Sequence, residues 1–106
     1  MAMASTDPTR EQVDALRGPH VLEFGASWCG YCVGARPLIS SALAAHPAVT
    51  HHWIEDARGK RLGRTFGVKL WPTLVFLADG REVARVVRPT SAEALDLAFA
   101  KIDPRP

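Results

Sequence analysis

The stretch Gly30–Ala45 is rich in Ala, Leu and Ile and has helical character, and a short apolar run lies on each side of it. That arrangement limits the fold more than any other feature. His20–Ala26 (His-Val-Leu-Glu-Phe-Gly-Ala) and Val49–Ile54 read as short strands. Two strands joined through a helix run parallel, because a direct hairpin would make them antiparallel. Further on, Thr73–Ala78 and Arg81–Val87 flank Asp79-Gly80, a strong two-residue hairpin signal. Three more helices are expected. Thr9–Arg17 stops at Gly18-Pro19, Ala57–Phe66 is basic and polar, and Ser91–Ile102 carries Ser91 as its cap with Glu93 behind it. Pro37, inside the long helix, removes one backbone donor and should kink it. The predicted class is α/β: a central mixed sheet of four to five strands with helices on both faces. A chain of 106 residues holds one such domain. It is expected over residues 9–103, behind a frayed lead-in of residues 1–8.

Charge excludes several roles. The net charge is +2, from 13 Lys+Arg against 11 Asp+Glu. That is too small, and the basic residues too scattered, to expect nucleic-acid binding. No apolar run approaches the ~20 residues of a membrane-spanning helix. The N-terminal Met-Ala-Met-Ala-Ser-Thr-Asp-Pro has no basic region followed by an apolar stretch, so no secretory leader is expected. Cytoplasmic placement is the expectation, or periplasmic placement if a leader has been removed.

The two cysteines are Cys29 and Cys32. Separated by two residues, they cannot staple distant parts of a fold. They can close a small ring, hold half a metal site or carry out chemistry. Trp28-Cys29-Gly30-Tyr31-Cys32 stands where the first strand ends and the long helix begins. Unpaired N–H groups and the helix dipole favour negative charge there, so Cys29 should be an acidic, attacking thiol. Cys32, one turn on and inside the helix, should be the buried resolving thiol. Zinc is the competing reading, because Cys29-x2-Cys32-x13-His46-x4-His51 fits a two-Cys, two-His spacing. Pro47 separates the histidines and ends the helix, which argues against a finger. No metal and no organic cofactor is expected. Inert buried cysteines remain the bland alternative.

Trp28-Cys29-Gly30-Tyr31-Cys32 resembles the active-site motif of the thioredoxin superfamily. Pro37, five residues after Cys32, is similar to the family's helix proline, and Phe66-Gly67-Val68…Trp71-Pro72-Thr73 is similar to its cis-proline segment. Glu23, six residues before Cys29, stands where the family keeps a buried acid. The resemblance implies that Glu23 takes the proton of Cys32 and that Pro72 is cis. It also implies that Trp28, Gly30, Tyr31, Trp71, Pro72 and Arg88 border the substrate groove. The sequence departs from the family at four places, one being that the family's N-terminal strand is not visible in residues 1–8. Gly30-Tyr31 is similar to the dipeptide of bacterial periplasmic disulfide isomerases, Trp71 stands where smaller residues are usual, and Arg88-Pro89 falls where thioredoxins have a glycine. His51 or His52 falls near the place of a lysine that thioredoxins keep beside the acid.

The implied activity is thiol–disulfide exchange, most simply the reduction of protein disulfides. An exported reductase or isomerase and a non-catalytic binding module are the alternatives. The implied partners are a disulfide-containing protein substrate and a reductant protein or glutathione, for a monomer. Trp71 and Arg88 suggest a dedicated substrate with an exposed, acidic disulfide segment. Trp53 is expected in the core, the histidines at the surface or partly buried, and Gly59, Gly63 and Gly67 at turns and close contacts.

Overall fold

A computed structural model describes residues 7–57 and 60–104. The elements are α1 (Arg10–Asp14), β1 (Pro19–Gly25), α2 (Gly30–Ala45), β2 (Thr50–Glu55), α3 (Arg61–Thr65), β3 (Thr73–Ala78), β4 (Arg81–Val87) and α4 (Ala92–Ala100). Among the described residues the sheet has four strands, in the order β2-β1-β3-β4. β1 and β2 are parallel, as the helical crossover requires, while β3 is antiparallel to both β1 and β4. β1 is therefore interior and β4 lies at an edge.

Alternation along β1 divides the core. Val21 faces α2 and α4, where Ala35, Ile39, Ala42, Leu95 and Phe99 join Leu74 and Phe76 of β3. Leu22 and Phe24 face the other way, against Val13 of α1 and Leu62 of α3. The sheet thus has helices on both faces. Glu23 and Gly25 share the α2 face with Val21, because strand side chains alternate.

Three helices are shorter than expected. Thr9 caps α1 in a full capping box with Gln12, yet the helix ends at Asp14, and Gly18 turns the chain at φ +80°. For α3, Ala57 lies in a turn, residues 58 and 59 fall outside the described residues, and the helix spans Arg61–Thr65 only. Ser91 occupies the cap position of α4 without a side-chain bond to it, and the helix ends at Ala100. At the hairpin both Asp79 and Gly80 have positive φ, the pattern of a type I′ turn. Asp79 also accepts from the Gly18 N–H at 2.8 Å. α2 continues through Pro37.

Candidate active site

The β1–α2 junction places the cysteines. Cys29 is the N-cap of α2, with extended backbone (φ −78°, ψ 124°), and its sulfur accepts from the Cys32 N–H at 3.4 Å. Both thiols are free. Cys29 keeps 8% of its surface and Cys32 1%, so only Cys29 can be approached from outside. Burial pushes the Cys29 thiol up. The N–H of Cys32, the Cys32 thiol, the Tyr31 N–H and the Arg88 charge together outweigh that, and the pKa lies below the ordinary value. Cys32 is pushed up to about 11, first by burial and then by the Cys29 sulfur and the Glu23 charge, against one Ala26 N–H that favours its thiolate. One thiol is poised to be an anion and the other to hold its proton.

Glu23 lies beneath this pair, 5% exposed. Its Oε1 is 2.7 Å from His51 Nε2. Strand register decides which histidine is used. Val21 pairs with His51 across β1 and β2, so His51 shares the face of Glu23, while His52 pairs with Leu22 and points to the opposite face. There His52 Nε2 lies 2.9 Å from His20 Nδ1. A cleft of about 360 Å³ opens beside Glu23 and His51, bordered by Ser27, Arg36 and Trp53. His46 is engaged elsewhere, with Asp103 and stacked on Phe99. The two histidines of the zinc spacing are thus engaged with separate partners, His46 with Asp103 and His51 with Glu23.

Trp53 is not a core residue. It is 36% exposed, with its indole N–H donated to Glu55 at 3.3 Å. Alternation puts it on the Glu23 face of an edge strand, where it covers Gly25. A Cβ on Gly25 would come within 2.8 Å of the Cys32 sulfur and 2.9 Å of the Trp53 ring. Glycine there allows both groups to close over the strand.

Trp71–Pro72 is a cis peptide bond. The Trp71 ring packs against Ala26, Cys29 and Cys32 and meets Trp28 edge-on at 5.5 Å between ring centres. Trp28 is 70% exposed and Tyr31 62%. Gly30, exposed at the first position of α2, lines a groove with Tyr31 and Arg88. Arg88 has φ +49°, the left-handed region that favours glycine. Its guanidinium lies 3.7 Å over the Tyr31 ring, and its Nε donates to the Trp71 carbonyl at 2.9 Å.

Sequence reasoning missed Asp56. It follows β2 and is buried, with Oδ2 accepting the Trp71 indole N–H at 2.9 Å. Oδ1 has no hydrogen-bond partner among the described residues. Burial raises its pKa, with Asp7 adding to the rise and the Trp71 bond and Lys60 opposing it. Gly63 lies against the carboxylate, so closely that a Cβ would collide with it. One signal was available: an acid at the carboxyl end of a parallel strand, where open α/β sheets build their sites.

The family model described as Thioredoxin matches residues 2–101. The chain belongs to the thioredoxin family. Thioredoxin from Chlamydia pneumoniae is 37% identical over 67 residues, covering 63% of this chain and 66% of that one. The chain thus spans just under two thirds of that relative, and 53% of a tobacco (Nicotiana tabacum) H-type thioredoxin. Thioredoxin 2 from Pseudomonas aeruginosa PAO1 superposes with a TM-score of 0.83 at 53% identity, covering 92% of this chain and 91% of that one. A thioredoxin from Halobacterium salinarum, at 28% identity, gives 0.72 over 88% and 81%. This thioredoxin-family chain carries a CXXC pair, Cys29–Cys32, as a dithiol.

Proposed function

We propose that the chain is a thiol–disulfide oxidoreductase that reduces protein disulfides. The observation that carries this reading is a free thiol at the N-cap of α2 with a second free thiol buried one helical turn on. The Cys29 thiolate attacks one sulfur of the substrate disulfide. A Cys29–substrate disulfide forms, and the other substrate sulfur leaves as a thiolate and is protonated. Cys32 then gives its proton to Glu23 and attacks Cys29, the second substrate thiol departs, and Cys29–Cys32 is left oxidised. Two electrons pass from the dithiol to the substrate, and an external reductant restores the pair.

Geometry supports distinct roles for the surrounding groups. The Glu23 carboxylate is placed to take a proton that Cys32 holds tightly, and the cleft beside His51 lets that proton leave to water. Trp28, Gly30, Tyr31, Trp71, Pro72 and Arg88 form the rim that a substrate segment meets. The substrate is a protein with an exposed disulfide, and the reductant is a protein dithiol or glutathione. A cytoplasmic monomer is the simplest setting for a reductase. No helix among the described residues is long and apolar enough to cross a membrane.

Reduction of insulin with dithiothreitol as electron source tests the reading. The chain should accelerate insulin precipitation, and Cys29→Ser should abolish the effect. A wild-type rate equal to dithiothreitol alone would overturn the proposal and favour a binding module.

A further inference from the structure

Arg88 stands in the left-handed region, which is strained for a non-glycine residue, so its surroundings must hold it there. Two contacts do so: the cation–π stack on Tyr31 and the bond from Nε to the Trp71 carbonyl. The Arg88 N–H also donates to the Pro72 carbonyl at 2.9 Å. The guanidinium therefore bridges the first turn of α2 and the cis-proline loop, across the rim of the site. It also occupies the Trp71 main-chain acceptor, which an extended substrate would otherwise use.

The guanidinium is incompletely used. Its Nη1 and Nη2 have no acceptor among the described residues. Beneath it runs a groove of about 830 Å³, bordered by Gly30, Tyr31, Gly34, Leu38, Pro89 and Thr90. Arg88 is the one charge among the residues lining the groove, and no carboxylate lines it. An apolar groove with a single fixed cation and spare donors is complementary to an apolar segment bearing one carboxylate.

We propose that Arg88 selects substrates in which an Asp or Glu adjoins the attacked cysteine. The inference rests on the oxidoreductase reading and deepens it by naming the substrate class. The substrate carboxylate takes the free edge of the guanidinium and draws Arg88 off the Trp71 carbonyl. That carbonyl is then open to a substrate N–H. A neutral segment must break the Arg88–Trp71 bond without an equivalent replacement, and a basic segment meets like charge as well.

Three cyclic disulfide peptides, identical except for Asp, Asn or Lys beside one cysteine, provide the test. Rates of reduction by the full chain are measured at low and high salt, alongside insulin. The Asp peptide should exceed the Lys peptide in kcat/KM by about three- to tenfold, the range of a partly exposed ion pair. The ratio should fall toward one at high salt. In Arg88→Gln it should be near one at any salt, and in Arg88→Gly likewise, a variant that also relieves the backbone. Insulin reduced normally with a wild-type Asp-to-Lys ratio of one would overturn the role of Arg88 alone. So would a ratio that survives in Arg88→Gln. Failure to reduce insulin and all three peptides would overturn the oxidoreductase reading, and this inference with it.

Discussion

The Nε2 of His51 lies 2.7 Å from Oε1 of Glu23, so the carboxylate in the interior of the sheet is paired rather than isolated. The two residues sit on adjacent strands, diagonal to one another on the face that α2 covers. The His51 side chain is 31% exposed and that of Glu23 is 7%. The imidazole therefore links a buried acid to the open cleft.

His51→Ala should destabilise the protein, because it leaves Glu23 buried without its partner while the lost imidazole was itself partly solvated. The expected loss is about 1–3 kcal/mol, the range for an orphaned buried acceptor. It would be read as a lower urea midpoint at constant slope. An unchanged midpoint would mean that Glu23 finds another partner at no cost.

Glu23→Gln should slow release of substrate from the Cys29 mixed disulfide more than it slows formation of that disulfide. Only the second step needs Cys32 deprotonated. Quenched-flow measurement of both steps separates them, and equal slowing would remove Glu23 from proton transfer.

The thiols should titrate apart. Cys29 lies below the ordinary thiol value and Cys32 at about 11. Iodoacetamide at pH 7 should therefore label the reduced protein once, on Cys29, with a half-point below the ordinary thiol value. The sign for stability follows from the fold favouring the Cys32 thiol over its thiolate. That contribution is complete below the ordinary thiol pKa and is lost as pH rises through about 11. Reduced wild type should thus lose stability relative to Cys32→Ser between about pH 9 and 11. Two thiols labelled at equal rates at pH 7 would contradict the assignment.

How much of this was legible in the sequence depended on whether a signal was local. The β1–α2 junction, the cysteine pair and the Asp79-Gly80 turn are local patterns, and the structure shows them as read. Parallel pairing of β1 with β2 followed from the intervening helix. Register is not local, so the choice between His51 and His52 needed the strand pairing Val21–His51. Trp53 misled because a large apolar residue on a strand was taken for core, whereas β2 is an edge strand and the ring closes over Gly25. The position of Asp56 at the end of β2 was legible, but its burial was not, because its partner, Trp71, is 15 residues away and its close neighbour Gly63 carries no side chain. The bond from Arg88 to Trp71, 17 residues apart, was hidden for the same reason.

Asp56→Asn should stabilise the protein at neutral pH by about 1 kcal/mol. It removes a buried charge and keeps an oxygen for the Trp71 indole. The raised pKa of Asp56 means that the fold prefers its protonated form. The native penalty is therefore absent below the ordinary carboxyl range and grows as pH rises through the folded pKa. The gain should vanish near pH 3, where both side chains are neutral. Thermal unfolding at pH 3 and pH 7 checks the sign, and a gain of equal size at both would point to packing rather than charge.

In the proposed reaction Cys29 attacks and Cys32 resolves. The direct measurement is mass spectrometry of Cys32→Ser after incubation with a disulfide-bonded peptide, with digestion to locate the adduct. A stable one-to-one mixed disulfide should form on Cys29, be reversed by dithiothreitol, and be absent from Cys29→Ser under the same conditions. An adduct on Cys32 in Cys29→Ser, formed as fast as the one on Cys29, would contradict these roles.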